Sequence, residues 1–487
     1  MTTPHRYDLA SATAEEVGLD PAALATFEAA VQRRSLTLHS LLVIRHGRVV
    51  LERHNPPWTG ETPHRMYSIS KSFASVAIGW CVGQDLLDLD DRVIDHFPEH
   101  DRADLHPWVA AMTVRHLLTM STAYGETTYK HGEDTDLVRT FFTATPTRPP
   151  GRLFAYDTSA SVVLGALVER LSGRSLTELL TEVVWPAVRA TGRLRALRTP
   201  TGLPLDHAPL GSPAWREVRD NPLGHDHAGS GVLCTPRDLA RLAQFCLDRG
   251  RVDGQQIVPE SYLREATSHQ NDIDLRLGHD PAVVTGYGYQ FWMLPHGGFA
   301  CVGMGGQLAL VHPEHDLIVV TTADNQLVGS LDTHVVPLVL DHLVLPLQDR
   351  PTPTAPARTT GTDRLDGTEH RFADNPFEIT SLRVATGPDH GILTLVGIRG
   401  ERVIEFGWDQ WRSFRFPVHD LPARARGRWQ GDDRLRISVR IEGEHLGSIE
   451  ILLVPGDDGT LTVAMVKAAE ALLGEYQGVA TSLGPDS

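Results

Sequence analysis

Apolar residues are spaced in three different ways along this chain. In residues 39–53, HSLLVIRHGRVVLER, two apolar runs flank His46-Gly47, which predicts a β-hairpin. After Ser68, the apolar residues Phe73, Val76, Ala77 and Trp80 recur at i, i+3, i+4 and i+7. That is the spacing of one buried helix face, and it puts Ser68 at a helix N-terminus. The same reasoning predicts helices at 113–120, 159–171, 174–184 and 236–249, and strands at 286–293, 306–312 and 315–323. Strands therefore flank a long helical middle. Residues 349–363, DRPTPTAPARTTGTD, hold Pro351, Pro353 and Pro356 among small polar residues with little to bury, the pattern of an inter-domain linker. Beyond it Leu435, Ile437, Val439 and Ile441 alternate with Arg436, Ser438 and Arg440, and Asp458-Gly459 joins two apolar runs. Both are antiparallel-strand signals. The predicted organisation is a first domain over 1–348, a linker over 349–363 and a β-rich C-terminal domain over 364–487.

Composition agrees with two packed domains, since 487 residues exceed what a single core usually holds and 41% hydrophobic with 22% charged residues is ordinary for a globular chain. A formal charge of −16 repels a phosphate backbone and argues against a nucleic-acid partner. The first twenty residues lack a basic segment followed by an apolar one, and no run approaches the ~20 apolar residues of a membrane span. A cytoplasmic protein without a membrane partner is expected. Cys81, Cys234, Cys246 and Cys301 show no C-x-x-C spacing and lie in apolar surroundings, so they read as free buried thiols. The 24 histidines include no H-E-x-x-H. In HDHAGSG, His225 and His227 would share one side of an extended segment, but a third ligand is missing, and neither a metal nor another cofactor is expected.

Lysine occurs only at Lys71, Lys130 and Lys467 among 45 Lys plus Arg. This chain uses arginine wherever a solvated positive charge suffices, so a lysine in a potential site invites a chemical explanation: Lys can release its proton near neutral pH and Arg cannot. Ser68 and Lys71 form an S-x-x-K element in MYSISKSF, and side chains at i and i+3 share a helix face. A serine hydroxyl becomes nucleophilic when a neighbouring base removes its proton. An isolated match of this kind is often only a capping serine followed by a surface lysine. Tyr156, just before an apolar helix in GRLFAYDTSASVV, is either core or a phenol able to relay a proton. The third element, CVGMGGQLALVHPEHDLIVV, is a Gly-rich entry into an edge hairpin. Its glycines permit close backbone approach, and the backbone amides of Gln307 and Ser68 are candidate oxyanion donors.

Taken in this order and at these separations, the three elements resemble the class C β-lactamase, esterase and D,D-peptidase superfamily over roughly residues 20–345. The resemblance also takes in LLVIRHGRVV, DLLDLDDRVIDHFPEH, TVRHLLTM, PPGRLFAYDTSASVVLGALVERLSG, GSGVLCTPRDLARLAQFCLDRG and GYGYQFW. It implies an α/β catalytic domain with an antiparallel sheet flanked by helices, and a small C-terminal β-barrel or lipocalin-like domain. It also implies that Ser68 is the acylated nucleophile, Lys71 its activating amine and Tyr156 the second proton relay. Thr158, Met304, Gly305, Gly306 and His227 fall where relatives contact substrate.

The chain departs from the family twice. Tyr156-Asp157-Thr158 stands in place of Y-x-N, and Met304-Gly305-Gly306 in place of K-T-G or H-x-G. The second change removes a cation that often meets a substrate carboxylate, which argues against penicillin-like substrates. The expected activity is hydrolysis of small-molecule esters or amides through a Ser68 acyl-enzyme. The alternatives are acyl transfer, as in penicillin-binding-protein-type thioesterases that cyclise peptides, and a binding or sensor protein that keeps the fold without turnover.

Overall fold

A computed structural model describes residues 5–34, 36–129, 136–197, 225–273, 283–325, 332–347, 365–418, 420–430, 433–442, 447–469 and 473–484. The linker predicted at 349–363 and Lys130 lie outside these residues. The chain divides into two compact units, the first built from Met1–Thr145, Ala155–Asp272 and His279–Thr352, the second from Pro146–Phe154, Ile273–Gly278 and Pro353–Ser487.

The first unit is built on a seven-stranded antiparallel sheet. Its strands are β1 (Leu38–Arg45), β2 (Arg48–His54), β3 (Gly286–Tyr287), β4 (Trp292–Met293), β5 (Phe299–Gly303), β6 (Gln307–His312) and β7 (Leu317–Ala323), in the order β2-β1-β7-β6-β5-β4-β3. The hairpin predicted around His46-Gly47 is β1–β2. Both turn residues have positive φ, 53° and 70°, the two-residue turn whose twist matches the strands it joins. Where one strand was predicted over 286–293, the structure has two short ones. Between them Gln290 takes φ 65° and turns inward, its amide donating to the carbonyls of Leu117 and Leu118 while its Oε1 accepts from Ser161. Those buried bonds outweigh continuation of the strand.

Around the sheet lie α1 (Pro21–Arg33), α2 (Ser70–Gly83), α3 (Thr158–Ser172), α4 (Leu176–Val183) and α5 (Pro236–Leu247), with a short helix at Val114–Leu118. Helix α2 is the centre of the core: Phe73, Val76 and Ala77 are fully buried and Trp80 packs against the same cluster. Its buried serines are all bonded: Ser70 Oγ accepts from the Val232 amide, Ser72 donates to the Gln290 carbonyl, and Ser75 meets the Tyr262 hydroxyl. A small sheet pairs His64–Arg65 and Arg195–Ala196 with Val232–Cys234. The chain around 225–234 is thereby laid beside the residues that lead into α2. All four cysteines are free and buried.

The second unit is a ten-stranded sheet curled into a half-barrel. Neighbours in sequence are neighbours in the sheet from Glu369–Arg371 to Gly478–Thr481, apart from Arg412–Phe416, which pairs only with Leu421–Gln430. The alternation read from the sequence is real: Leu435, Ile437, Val439 and Ile441 are buried in one cluster with Ile449, Ile451, Val463 and Met465. Asp458-Gly459 lies in the turn between Gly447–Pro455 and Leu461–Ala469. Among the described residues no helix is long and apolar enough to cross a membrane.

Candidate active site

Ser68 lies in a single 3-10 turn, Tyr67–Ile69, that runs directly into α2. The preceding residue, Tyr67, is held at φ 46°, an uncommon conformation for a non-glycine residue that persists only where the surroundings enforce it. Those surroundings are visible. The Met66 amide donates to the Val232 carbonyl, and Arg65 lies over the Tyr67 ring at 4.4 Å while its Nε donates to the Ser230 carbonyl. On the other side β5 closes in: a Cβ on Gly303 would fall 2.3 Å from the Met66 carbonyl oxygen. Glycine is the residue that lets strand and turn approach this closely.

One turn further on, Lys71 is 1% exposed. Its ammonium nitrogen stands 3.2 Å from Ser68 Oγ, donates to the Gly229 carbonyl at 2.6 Å, and sits 4.9 Å from the centre of the Tyr156 ring. The three candidate catalytic side chains are therefore brought together. Tyr156 stacks on Trp292 at 5.5 Å, and Tyr287 stands edge-on to both rings. The spacing of 85 residues between Lys71 and Tyr156 is closed by packing of α2 on α3, which starts two residues after Tyr156.

Thr158 is the first residue of α3, and its amide donates to Thr127 Oγ1. Its methyl faces Gly229, where an added Cβ would fall 2.4 Å away. Asp157 caps α3 from a fully buried position, accepting from the Ser159 amide and hydroxyl and from Thr122 Oγ1. Burial still pushes its carboxyl up to about 6, because removal of water outweighs these bonds.

At the third element, Met304 is 54% exposed, and Gly305 and Gly306 take φ 81° and 101°. The turn is pinned by the Asn325 amide on the Gly305 carbonyl and by Thr321 Oγ1 on the Gly306 carbonyl. The Gln307 side chain is buried and used structurally, spanning the Ala323 amide and carbonyl and the Met304 carbonyl.

His227 is buried and accepts from the Ser230 amide through Nδ1 at 3.0 Å. Its proton therefore sits on Nε2, which has no hydrogen-bond partner among the described residues. Burial, with Arg65 and Lys71 nearby, holds its pKa down to about 3. The neighbours that suggested a metal go elsewhere, His225 to Glu169 and Asp226 to Thr177.

Several participants escaped the sequence reading. Trp292, Tyr287, the Gly229 carbonyl and Arg65 all belong to the site. Two signals existed, the aromatic density of GYGYQFW and the glycines of HAGSG, but neither says which partner the fold will bring.

A family model described as Beta-lactamase matches residues 25–332. The chain is 23% identical over 302 residues to the 6-aminohexanoate-dimer hydrolase of Paenarthrobacter ureafaciens, covering 58% of this chain and 71% of that one. It is 26% identical over 263 residues to the acyltransferase calJ of Penicillium decumbens, covering 45% of this chain and 60% of that one. Among solved structures, a family VIII carboxylesterase superposes with a TM-score of 0.51 at 18% identity over 66% of this chain and 96% of that one.

Proposed function

The chain belongs to the β-lactamase family, and from that premise we propose that it is a serine hydrolase acting on small-molecule esters or amides through an acyl-enzyme on Ser68. The observation that carries this reading is the buried Lys71 ammonium nitrogen 3.2 Å from Ser68 Oγ. Ser68 Oγ attacks the substrate carbonyl carbon and its proton passes to the Lys71–Tyr156 pair. The resulting oxyanion is received by the backbone amides of Ser68 and Gln307. The Gln307 side chain, already bonded to Ala323 and Met304, contributes nothing further. Collapse expels the alcohol or amine, which takes the proton from the same pair. Water then attacks the acyl-enzyme and releases the acid, regenerating Ser68.

Thr158, beside Gly229, and the Met304–Gly306 turn are the proposed substrate contacts. His227 meets substrate only through Nε2. With methionine at the third element, neutral acyl donors are preferred over carboxylated ones, and benzylpenicillin is a poor substrate. Four free, buried thiols fit a reducing compartment, so the cytoplasm is the proposed setting.

Labelling with a fluorophosphonate, read by intact mass, and hydrolysis of p-nitrophenyl esters test this directly. Both should vanish in Ser68→Ala while the far-UV spectrum is kept; turnover by that variant would overturn the proposal. A second reading is acyl transfer, supported by the likeness to acyltransferase calJ. Transferred products, detected by mass when alcohols or amines compete with water, would favour it over hydrolysis.

A further inference from the structure

The residues on either side of Tyr156 are fastened to one stretch of chain. On the N-terminal side the Ala155 amide donates to the Met120 carbonyl at 2.8 Å. On the C-terminal side the Asp157 amide lies 3.3 Å from Met120 Sδ, and Asp157 Oδ2 accepts from Thr122 Oγ1 at 3.1 Å. Two further bonds continue the seam, from the Thr158 amide to Thr127 Oγ1 and from the Thr128 amide to Ser159 Oγ. The receiving stretch is itself held in place: Asn271 Nδ2 donates to the Thr119 carbonyl at 2.9 Å, and the Gln290 amide grips the carbonyls of Leu117 and Leu118. Only Tyr156 intervenes between the two Met120 contacts, and consecutive Cα atoms are a fixed ~3.8 Å apart. A shift of either neighbour therefore passes directly to its ring.

Asp157 bridges this seam with its two oxygens. Oδ1 accepts from the Ser159 amide at 2.9 Å and from the Ser159 hydroxyl, which caps α3, while Oδ2 takes Thr122. Capping alone does not call for a carboxylate, since serine, threonine or asparagine also caps a helix and none of them leaves a charge in the core. Asp157 is fully buried, and among the described residues no cation pairs with it. Burial pushes its carboxyl up to about 6, the mark of a group kept in place against desolvation. A short hydroxyl at 157 would serve α3 and release Thr122; the carboxylate serves both at once.

We infer that Asp157 is a positioning residue for Tyr156: by bridging the first turn of α3 to Thr122, its carboxylate sets where the phenol stands beside Lys71 and Trp292. All of these residues belong to the first unit. The role rests on the proton relay assigned to Tyr156 above.

The test uses the full-length protein with Asp157→Ser, Asp157→Asn, Thr122→Val, Tyr156→Phe and the Tyr156→Phe/Asp157→Ser double variant, reading kcat, KM and the pH profile of kcat on a p-nitrophenyl ester. Serine still caps α3 but is too short to hold Thr122. Asp157→Ser should therefore keep the far-UV spectrum and lower kcat about tenfold, the scale expected when a catalytic group is displaced by a fraction of an ångström. KM should stay within about twofold, and the limb of the pH profile set by the Lys71–Tyr156 pair should move. Asparagine, which spans the same gap, should restore most of the rate, and Thr122→Val should lose about as much as Asp157→Ser. The double variant should be no slower than Tyr156→Phe, because Asp157 acts through that ring. A kcat within about twofold of wild type in folded Asp157→Ser, a loss with an unmoved pH profile, or an additive loss in the double variant overturns the inference. Should Asp157→Ser fail to fold, the near-isosteric Thr122→Val decides: a several-fold lower kcat supports the inference and a wild-type kcat sinks it. Ser68→Ala, run alongside, separates the ideas. Activity in it removes the proposed function, and a wild-type kcat in Tyr156→Phe removes the relay. An inactive Ser68→Ala and a slow Tyr156→Phe beside a wild-type-like Asp157→Ser remove only the role of Asp157.

Discussion

The surroundings of Ser68 and the strand surface around Glu450 treat charge in opposite ways. Beside Ser68, the Lys71 ammonium is buried against a hydroxyl, a peptide carbonyl and an aromatic face, and burial drives nearby His227 and Asp157 toward their neutral forms. On the strands of the second unit five arginines are paired with acids: Arg424 with Glu442, Arg428 with Asp409, Arg412 with Glu405, and Arg436 and Arg440 together on Glu450. The exposed pairs among them, those of Arg424, Arg428 and Arg412, add little, ~0–1 kcal/mol each, and many pairs would serve equally well. Burying a cation among neutral groups costs several kcal/mol, so its persistence calls for a chemical use. Surface arginine paired with an acid is a generic solution; lysine beside Ser68 is a specific one.

Replacement within the positive charges should break the symmetry most strongly. Lys71→Arg is expected to lower kcat/KM of ester hydrolysis by about 10³-fold, ~4 kcal/mol, because guanidinium cannot take the Ser68 proton. Arg436→Lys, measured in the same assay, should stay near wild type. Comparable rates for Lys71→Arg and wild type would erase the contrast.

Glycine gives the next effect. Gly303→Ala forces a Cβ against the Met66 carbonyl and should cost about 10²-fold in kcat through displacement of the Ser68 turn. Gly474→Ala meets nothing within 4 Å and should leave both rate and Tm unchanged. Equal behaviour of the two variants would show that the Ser68 turn tolerates movement.

Removing Glu450 tests the paired side. It is buried and accepts from Ser438, Arg436 and Arg440, so Glu450→Ala should destabilise the second unit by about 2 kcal/mol, seen as a lower urea midpoint. At temperatures where it stays folded, its kcat should remain near wild type.

Acid should reveal the buried histidines, which are concentrated in the first unit. Burial holds His64, His116 and His312 down to about 4 and His227 to about 3. Their folded pKa values lie below the unfolded value of ~6.5, so their stabilising contribution is complete above that pH and is lost as pH falls toward 4. Asp157, raised to about 6, works the other way: its carboxylate costs stability above pH 6, a cost relieved as it protonates. Asp248 is also raised by burial, but four histidines against two aspartates still predict a falling urea midpoint between pH 7.5 and 5.5, on the order of 1 kcal/mol for each histidine. A flat or rising midpoint would contradict this.

Met304→Lys should matter least. At 54% exposure the new ammonium remains solvated, so carboxylated donors should gain only a few-fold in kcat/KM, ~0.5–1 kcal/mol, and neutral donors nothing. A wild-type preference for carboxylated donors would mean that another cation already serves that end of the site.

The periodicity of HSLLVIRHGRVVLER, of the helix after Ser68 and of the strand around Ile437 was sufficient to locate those elements. Each depends on a local rule: positive φ at a two-residue turn, a buried stripe every three to four residues, a buried face every second residue. The segment 286–293 was misread for the opposite reason. Its apolar density is that of a strand, but Gln290 has three distant buried partners to satisfy, and no local pattern announces them.

By itself the sequence put Ser68 and Lys71 three residues apart at the entry to a helix, a spacing that a helical or 3-10 turn places on one side. Only the tertiary structure decided the rest of the site. Packing of α2 on α3 put Lys71 over the Tyr156 ring, the Val232–Cys234 pairing delivered the Gly229 carbonyl to the Lys71 ammonium, and Gly303 let β5 approach the Ser68 turn. These meetings join residues 85 to 235 positions apart. Contacts at such separations are set by which apolar faces bury one another, a property of the whole core that no window of the sequence contains.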